Sequence, residues 1–186
     1  GSGFFEIILV KEGHMVIGID LTKEMVDGAN AMITAYGLDS KQVKAVQMDA
    51  EKLSFEDETF DLIITRNVTW TLPHPIEAYG EWKRVLKKGG LILNFDAEYA
   101  KNAHTNLYSP DNLAHQGVSD ELKDECHDIY HMLTISSLSR PDWDEKILKN
   151  LGFSSVEVDI EFGDRVYKEK DRFYMLDRMF CIVAIK

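Results

Sequence analysis

The sequence predicts an α/β fold: a doubly wound, mostly parallel sheet with helices on both faces, finished by an antiparallel strand pair at the C-terminus. Three observations carry this expectation. Short apolar runs alternate with segments of helical periodicity from Phe4 to Gly152, several runs end on an acid, and the last two runs follow one another across a charged connection.

The first helix spans Phe4 to Glu12, with apolar residues at helical spacing and a stop at Gly13. Met15-Val16-Ile17-Gly18-Ile19 reads as a buried strand that ends on Asp20. Thr22 is a good N-cap for a helix that runs to Tyr36 and is closed by Gly37. Val43 to Met48 forms the second strand, ending at Asp49, and Phe60 to Thr65 the third, after a polar turn from Ser54 to Thr59. Pro75 can open the next helix, which carries Ile76, Tyr79, Trp82, Val85 and Leu86 on one face and ends at Gly89-Gly90. Leu91 to Phe95 is the fourth strand. From Glu98 to Arg140 the composition turns polar, and this stretch (98–140) is expected to form an inserted cap or lid. A helix from Asp142 to Asn150, stopped by Gly152, precedes the strands Ser155 to Phe162 and Met179 to Ile185, which form the antiparallel pair.

At 186 residues the chain fits a single domain, 1–186, and 45% hydrophobic with 28% charged residues is a globular rather than a disordered composition. The formal net charge of -11 argues against nucleic acid as a partner, because counterion release on a phosphate backbone needs clustered Lys and Arg. Small or cationic substrates suit this balance better. Cys126 and Cys181 stand alone, without a C-x-x-C spacing, and read as reduced thiols of a cytoplasmic protein. No apolar run approaches the roughly 18 residues that span a bilayer, and the start lacks a signal-peptide pattern, so no membrane partner is expected.

Ligands of open α/β sheets bind beyond the carboxyl ends of the strands, which singles out Asp20, Asp49, the Arg66-Asn67 pair and Asp96. Gly1 and Gly3 precede the helix at Phe4, an arrangement that lets a ligand approach the backbone and the helix N-terminus. An acid at the end of the following strand, Asp20, can accept both hydroxyls of a ribose. A dinucleotide fingerprint would place Gly or Ala at position 6, where this chain has Glu6, and that counts against NAD or FAD.

Five segments in series resemble the class I S-adenosylmethionine-dependent methyltransferases, of the methyltransferase type 11 kind. They are Gly1-Ser2-Gly3-Phe4-Phe5, Gly18-Ile19-Asp20-Leu21-Thr22-Lys23-Glu24-Met25, Met48-Asp49-Ala50-Glu51-Lys52-Leu53, Phe60-Asp61-Leu62-Ile63-Ile64, and the run from Glu81 to Gly90 before a strand. The resemblance implies a Rossmann-like fold, S-adenosylmethionine as cofactor and methyl transfer to a small-molecule acceptor. Residue by residue it implies that Gly1 and Gly3 end a G-x-G-x-G loop beside the methionine part, and that Asp20 holds the ribose hydroxyls. Leu21 would pack on adenine, Asp49 with Ala50 would recognise the adenine edge, and Asn67 would line the cofactor and acceptor side. The family's first strand, with its acid and first glycine, has no counterpart after Gly1. Without a strand there the sheet would show two unpaired edges, so upstream residues outside this numbering, or a strand exchanged from another chain, are expected to supply it.

Each feature also has a plainer explanation. Asp20 and Asp49 could cap a following turn or helix. Trp70, Leu72 and Trp82 read as core or pocket wall. His127 and His131 stand at i, i+4 but lack the glutamate of H-E-x-x-H, so no metal is expected. Asp96, Glu98 and Tyr99 could orient or deprotonate an acceptor, yet methyl transfer is an in-line displacement that alignment alone can drive, so no catalytic residue is assigned. Asn67-Val68-Thr69-Trp70 is not the Asn-Pro-Pro-aromatic pattern that resembles amino-group methylation of adenine or glutamine. The alternatives to a methyltransferase are a non-catalytic cofactor-binding or interaction module of the same fold and a nicotinamide-dependent oxidoreductase; Glu6 and the Asp49 segment argue against the latter.

Overall fold

A computed structural model describes residues 3–99, 101, 106–113, 117–169, 174 and 176–186. The chain divides into two compact units, Gly1–Glu56 and Asp57–Lys186.

In the first unit, α1 (Phe4–Lys11), β1 (Val16–Asp20), α2 (Lys23–Ala35) and β2 (Val43–Gln47) follow the expected alternation. The strands β1 and β2 pair in parallel, with Val16 opposite Val43 and Asp20 opposite Gln47. Apolar residues one helical turn apart on α1 and α2 turn toward this pair and make two small clusters. Val10, Ile33 and Val43 form one, with Val16 and Leu38 packed against it, and Val26, Ala29 and Ala45 form the other. Asn30 of α2 donates from Nδ2 to the Ala45 carbonyl at 2.9 Å and accepts from the Ala45 N–H at 2.9 Å, so a side chain completes this rung of β2. The β1 run is less buried than expected, with Ile17 37% exposed and Met15 82% exposed. Among the described residues β1 has a strand neighbour on one side only, which leaves one edge and the side chains beside it open.

The second unit holds β3 (Phe60–Arg66), a 3-10 turn at Thr69–Thr71, α3 (Pro75–Val85) and β4 (Leu86–Asp96). It continues with α4 (Asp120–Met132), a 3-10 turn at Thr134–Ser137, α5 (Asp142–Asn150), β5 (Ser155–Asp159), α6 (Phe162–Val166) and β6 (Phe180–Ile185). The sheet order is β3-β4-β6-β5. Strands β3 and β4 are parallel, whereas β6 runs antiparallel to both β4 and β5. The parallel strands and the antiparallel C-terminal pair agree with the fold class expected of the sequence, a Rossmann-like α/β arrangement. Tyr79, Trp82 and Val85 of α3 pack into a core with Leu86, Ile92, Leu148 and Ile182, all essentially inaccessible to solvent. Among the described residues β3 and β5 each pair on one side only.

Several boundaries moved. Helix α3 ends at Val85, because the following residues join the sheet: Gly89 N–H donates to the Lys186 carbonyl at 3.1 Å and Lys186 N–H to the Gly90 carbonyl at 2.9 Å. Gly90 is required there, since a Cβ would come within 2.9 Å of the Lys87 carbonyl oxygen and 3.0 Å of that of Asp61. Strand β5 ends at Asp159, and Phe162 opens α6 within the connection to β6. In the 98–140 stretch, α4 is capped by Ser119, whose hydroxyl accepts from Leu122 N–H, and no α4 residue is buried.

Candidate functional site

At the carboxyl end of the β1–β2 pair the structure assembles most of the predicted cofactor residues. Gly3 caps α1 with a left-handed backbone, φ 83°, and a Cβ there would stand 3.4 Å from Ala29, so the residue serves both the turn and the close approach of α1 to α2. Gly1 lies outside the described residues. Asp20 closes β1, and its Oδ1 accepts from the Thr22 N–H at 3.0 Å and the Thr22 hydroxyl at 3.1 Å. Asp49 follows β2, and its Oδ1 accepts from the Glu51 N–H at 2.8 Å. The two loops are tied to each other: Met48 N–H donates to the Asp20 carbonyl at 2.9 Å and Gln47 Nε2 to the Leu21 carbonyl at 2.9 Å. Asp20, Leu21, Asp49 and Ala50 are thereby held at the ends of neighbouring strands, with the Leu21 side chain 66% exposed. Both acids make the local turn contacts of a capping residue. Two carboxylates and an exposed aliphatic side chain also form an acceptor and packing set suited to a nucleoside. Glu6 lies with its carboxylate against Gly18 of β1, where a Cβ would collide with it. The position at which a dinucleotide loop needs a small residue is filled by that side chain.

In the second unit the ends of β3 and β4 are organised differently. Asn67, directly after β3, also has a left-handed backbone, φ 56°, a conformation that asparagine tolerates better than most residues. Its N–H donates to the Phe95 carbonyl at 2.9 Å and its Oδ1 accepts from the Tyr99 hydroxyl at 2.7 Å. Asp96, the last residue of β4, is wholly buried, accepting at Oδ1 from the Ala97 N–H and at Oδ2 from the Trp70 N–H and from Arg140 Nη1, the last at 3.0 Å. Arg140 also grips Asp144 with Nε and Nη2 at 2.8 and 2.9 Å. The Tyr79 hydroxyl donates to Asp144 at 2.6 Å and accepts from Asn94 Nδ2 at 3.0 Å, and Asn94 is satisfied in turn by Thr65 and Thr69. A continuous polar chain thus links β3, α3, β4, the end of the 98–140 stretch and α5.

Burial pushes the Asp96 carboxyl up to about 6, opposed by the Arg140 charge. Burial and the facing Asp144 carboxylate drive the Tyr79 phenol well above its ordinary value, which keeps it a donor. Of the residues expected to act on an acceptor, Asp96 is therefore a buried anchor, because its oxygens are consumed by backbone and guanidinium donors. Glu98 and Tyr99 instead line a small cavity with Trp70, Ala97, Lys101, Ile135, Ser136, Leu138 and Arg140. Trp70 packs against Tyr99 and Tyr130 with ring centroids 5.0 and 4.9 Å apart. Among the described residues, Trp70 Nε1 and Ser136 Oγ are buried polar atoms without a hydrogen-bond partner. Leaving such a group unmatched costs about 1–3 kcal/mol.

His127 and His131 face each other on α4 with Nε2 atoms 3.1 Å apart, and no group of three His, Cys, Asp or Glu able to hold a metal occurs among the described residues. Arg140, Asp144 and Ser136 were missed by sequence reasoning. The i, i+4 spacing of Arg140 and Asp144 was a usable signal for the first two.

Residues 1–94 match the model of a family described as "Methyltransferase domain". A phosphatidylethanolamine N-methyltransferase of Cereibacter sphaeroides is 37% identical over 79 residues, 42% of this chain and 38% of that protein. The 24-methylenesterol C-methyltransferase 2 of Oryza sativa subsp. japonica is 30% identical over 160 residues, 86% of this chain and 40% of that protein. The chain thus spans well under half the length of these two relatives. The crystal structure of a SAM-dependent methyltransferase from Aquifex aeolicus superposes with a TM-score of 0.62 at 22% identity, covering all of this chain and 77% of the other, a likeness of fold.

Proposed function

The chain belongs to the methyltransferase-domain family, whose model spans half of it, and on that premise we propose that it transfers a methyl group from S-adenosylmethionine to a small organic acceptor. The observation that carries this reading is the joining of Asp20, Leu21, Asp49 and Ala50 at one end of a parallel strand pair, inside the matched stretch. When bound, S-adenosylmethionine supplies a sulfonium-activated methyl carbon. Asp20 would accept from the two ribose hydroxyls, Leu21 would pack on the adenine, and Asp49 with Ala50 would recognise its edge. Gly3, with Gly1 before it in the sequence, would stand beside the methionine portion. Asn67, whose Oδ1 accepts from the Tyr99 hydroxyl, would line the cofactor and acceptor side. Displacement at the methyl carbon depends on alignment with the incoming nucleophile, so the chain's contribution is orientation and exclusion of water, with residues 98–140 as the cap over the acceptor.

The relatives named for phosphatidylethanolamine and sterol methylation support an organic acceptor over nucleic acid, in keeping with the charge of -11. No helix among the described residues is long and apolar enough to cross a membrane. Both cysteines are free thiols, which suits a reducing compartment. Incubation with methyl-labelled S-adenosylmethionine and a fractionated small-metabolite pool should place label in a low-molecular-weight product. Binding of S-adenosylhomocysteine without any labelled product across the pool would favour the non-catalytic module.

A further inference from the structure

We infer that His127 and His131 of α4 form a two-imidazole site for a divalent first-row transition-metal ion, which clips together the helical turn that carries them. This is independent of the methyl-transfer reading. The two Nε2 atoms stand 3.1 Å apart, with ring centroids 4.4 Å apart and ring planes at 69°. Two metal–nitrogen bonds of about 2.0–2.1 Å place their nitrogens about 2.9 Å apart at a right-angled corner and about 3.3 Å apart at a tetrahedral one. The observed gap falls between these limits, so one ion can bond both nitrogens. Two lone pairs do not face each other at that distance unless a proton or a metal ion lies between them. The Asp128 carboxylate stands 3.8 Å from His127 Nδ1. A carboxylate on that side favours the tautomer protonated at Nδ1, which leaves the Nε2 lone pair for a ligand. Binding a metal ion then requires only that His131 carry its proton on Nδ1 rather than Nε2.

The helix around the pair suits a cation. Asp120, Glu121, Asp124, Glu125 and Asp128 outweigh Lys123, which Asp120 holds at 3.0 Å, so the field of α4 draws positive ions toward it. Imidazole selects nickel, copper or zinc over magnesium and calcium, which prefer oxygen ligands. With two protein ligands the remaining positions fall to water, and the ion is exchangeable rather than a resident cofactor. The glutamate of H-E-x-x-H serves hydrolysis as a general base, so its absence here removes that chemistry and leaves binding intact. The clip matters because α4 is thinly supported: Tyr130 packs on Trp70, but no α4 residue is buried. A helix of 13 residues with little packing is marginal in water, and a bond across one of its turns stabilises it directly.

The test titrates nickel chloride, and magnesium chloride beside it, into the full chain without a histidine tag, by calorimetry and by far-ultraviolet circular dichroism. Nickel should bind one-to-one and magnesium should not. H127Q and H131Q should each weaken nickel at least tenfold, since one imidazole alone makes no chelate, while both unfold at the parent temperature when metal is absent. C126S should bind nickel as the parent does. Nickel should also raise the helical signal and the unfolding temperature of the parent in proportion to its concentration, and leave those of H131Q where they were. Absence of saturable binding, or equal binding by the parent and the H127Q/H131Q double variant, would overturn the site. Loss of binding in C126S would assign the ion to the thiol and overturn the two-imidazole site as well. Binding with no gain in helical signal would overturn the clip.

Discussion

Asp20 and Asp96 occupy the same point in the sequence pattern, the last residue of a parallel strand, and the fold puts them to opposite uses. Asp20 is partly exposed, shares its carboxylate with a local turn and sits beside Leu21 and the Asp49 loop. Asp96 is fully buried, and its oxygens receive two backbone N–H groups and one guanidinium. Arg140 reaches Asp96 from 44 positions away, whereas Asp20 accepts from the N–H and hydroxyl of Thr22, two residues on. In this pair it is burial that differs, partial at Asp20 and complete at Asp96.

This contrast can be broken most forcefully at Arg140. Replacing it by Met strands two buried carboxylates, and the loss should be about 3–5 kcal/mol, read as a lowered denaturation midpoint in urea. A similar loss from removing the exposed partner of a surface pair, as in K23M opposite Asp27, would erase the distinction, since such pairs are worth at most about 1 kcal/mol.

Acid titration gives the next largest effect. The folded Asp96 carboxyl lies at about 6, above its value of 3.8 when unfolded, so the folded chain binds this proton more tightly. Its stabilising contribution is complete below about pH 4 and is lost as pH rises through about 6. Relative to D96N, which does not titrate there, the parent should therefore lose on the order of 2–3 kcal/mol between pH 4 and pH 7. A parent and variant that track each other across that range would show that Asp96 is not the buried acid described.

The glycines sharpen the comparison at the backbone level. In G90A the new Cβ meets two carbonyl oxygens that belong to the sheet, and a loss of about 1–3 kcal/mol is expected in thermal unfolding. In G18A it meets only the end of the Glu6 side chain, which can swing aside, and the loss should stay below about 1 kcal/mol. Equal losses would mean that β1 is packed as tightly as β4.

Much of the fold was legible because periodicity and turn chemistry are local. The alternation of helices and strands, Thr22 before α2, Pro75 at the start of α3 and the reversal of direction at the C-terminus all follow from neighbouring residues. The end of α3 was not, since it depends on Lys186 reaching Gly89 and Gly90 from the far end of the chain. The same limit applied to the site. Asp20, Leu21, Asp49 and Ala50 could be marked because strand ends converge in this architecture, whereas the anchoring of Asp96 required Arg140, and the cavity required Ser136, both from a polar stretch with weak periodicity. The burial of β1 was overestimated because an apolar run does not tell how many strands flank it.

The open end of the first unit is where the account is most exposed to contradiction. Calorimetric titration of S-adenosylhomocysteine into the chain and into D20N, with thermal unfolding of both, measures it directly. The prediction is one-to-one binding by the parent, at least tenfold weaker binding by D20N from the loss of charge-assisted hydrogen bonds to the ribose, and unfolding temperatures that nearly coincide. Equal binding by the two proteins, or D20N unfolding as readily as an Arg140 variant, would contradict the assignment of Asp20 to the cofactor ribose.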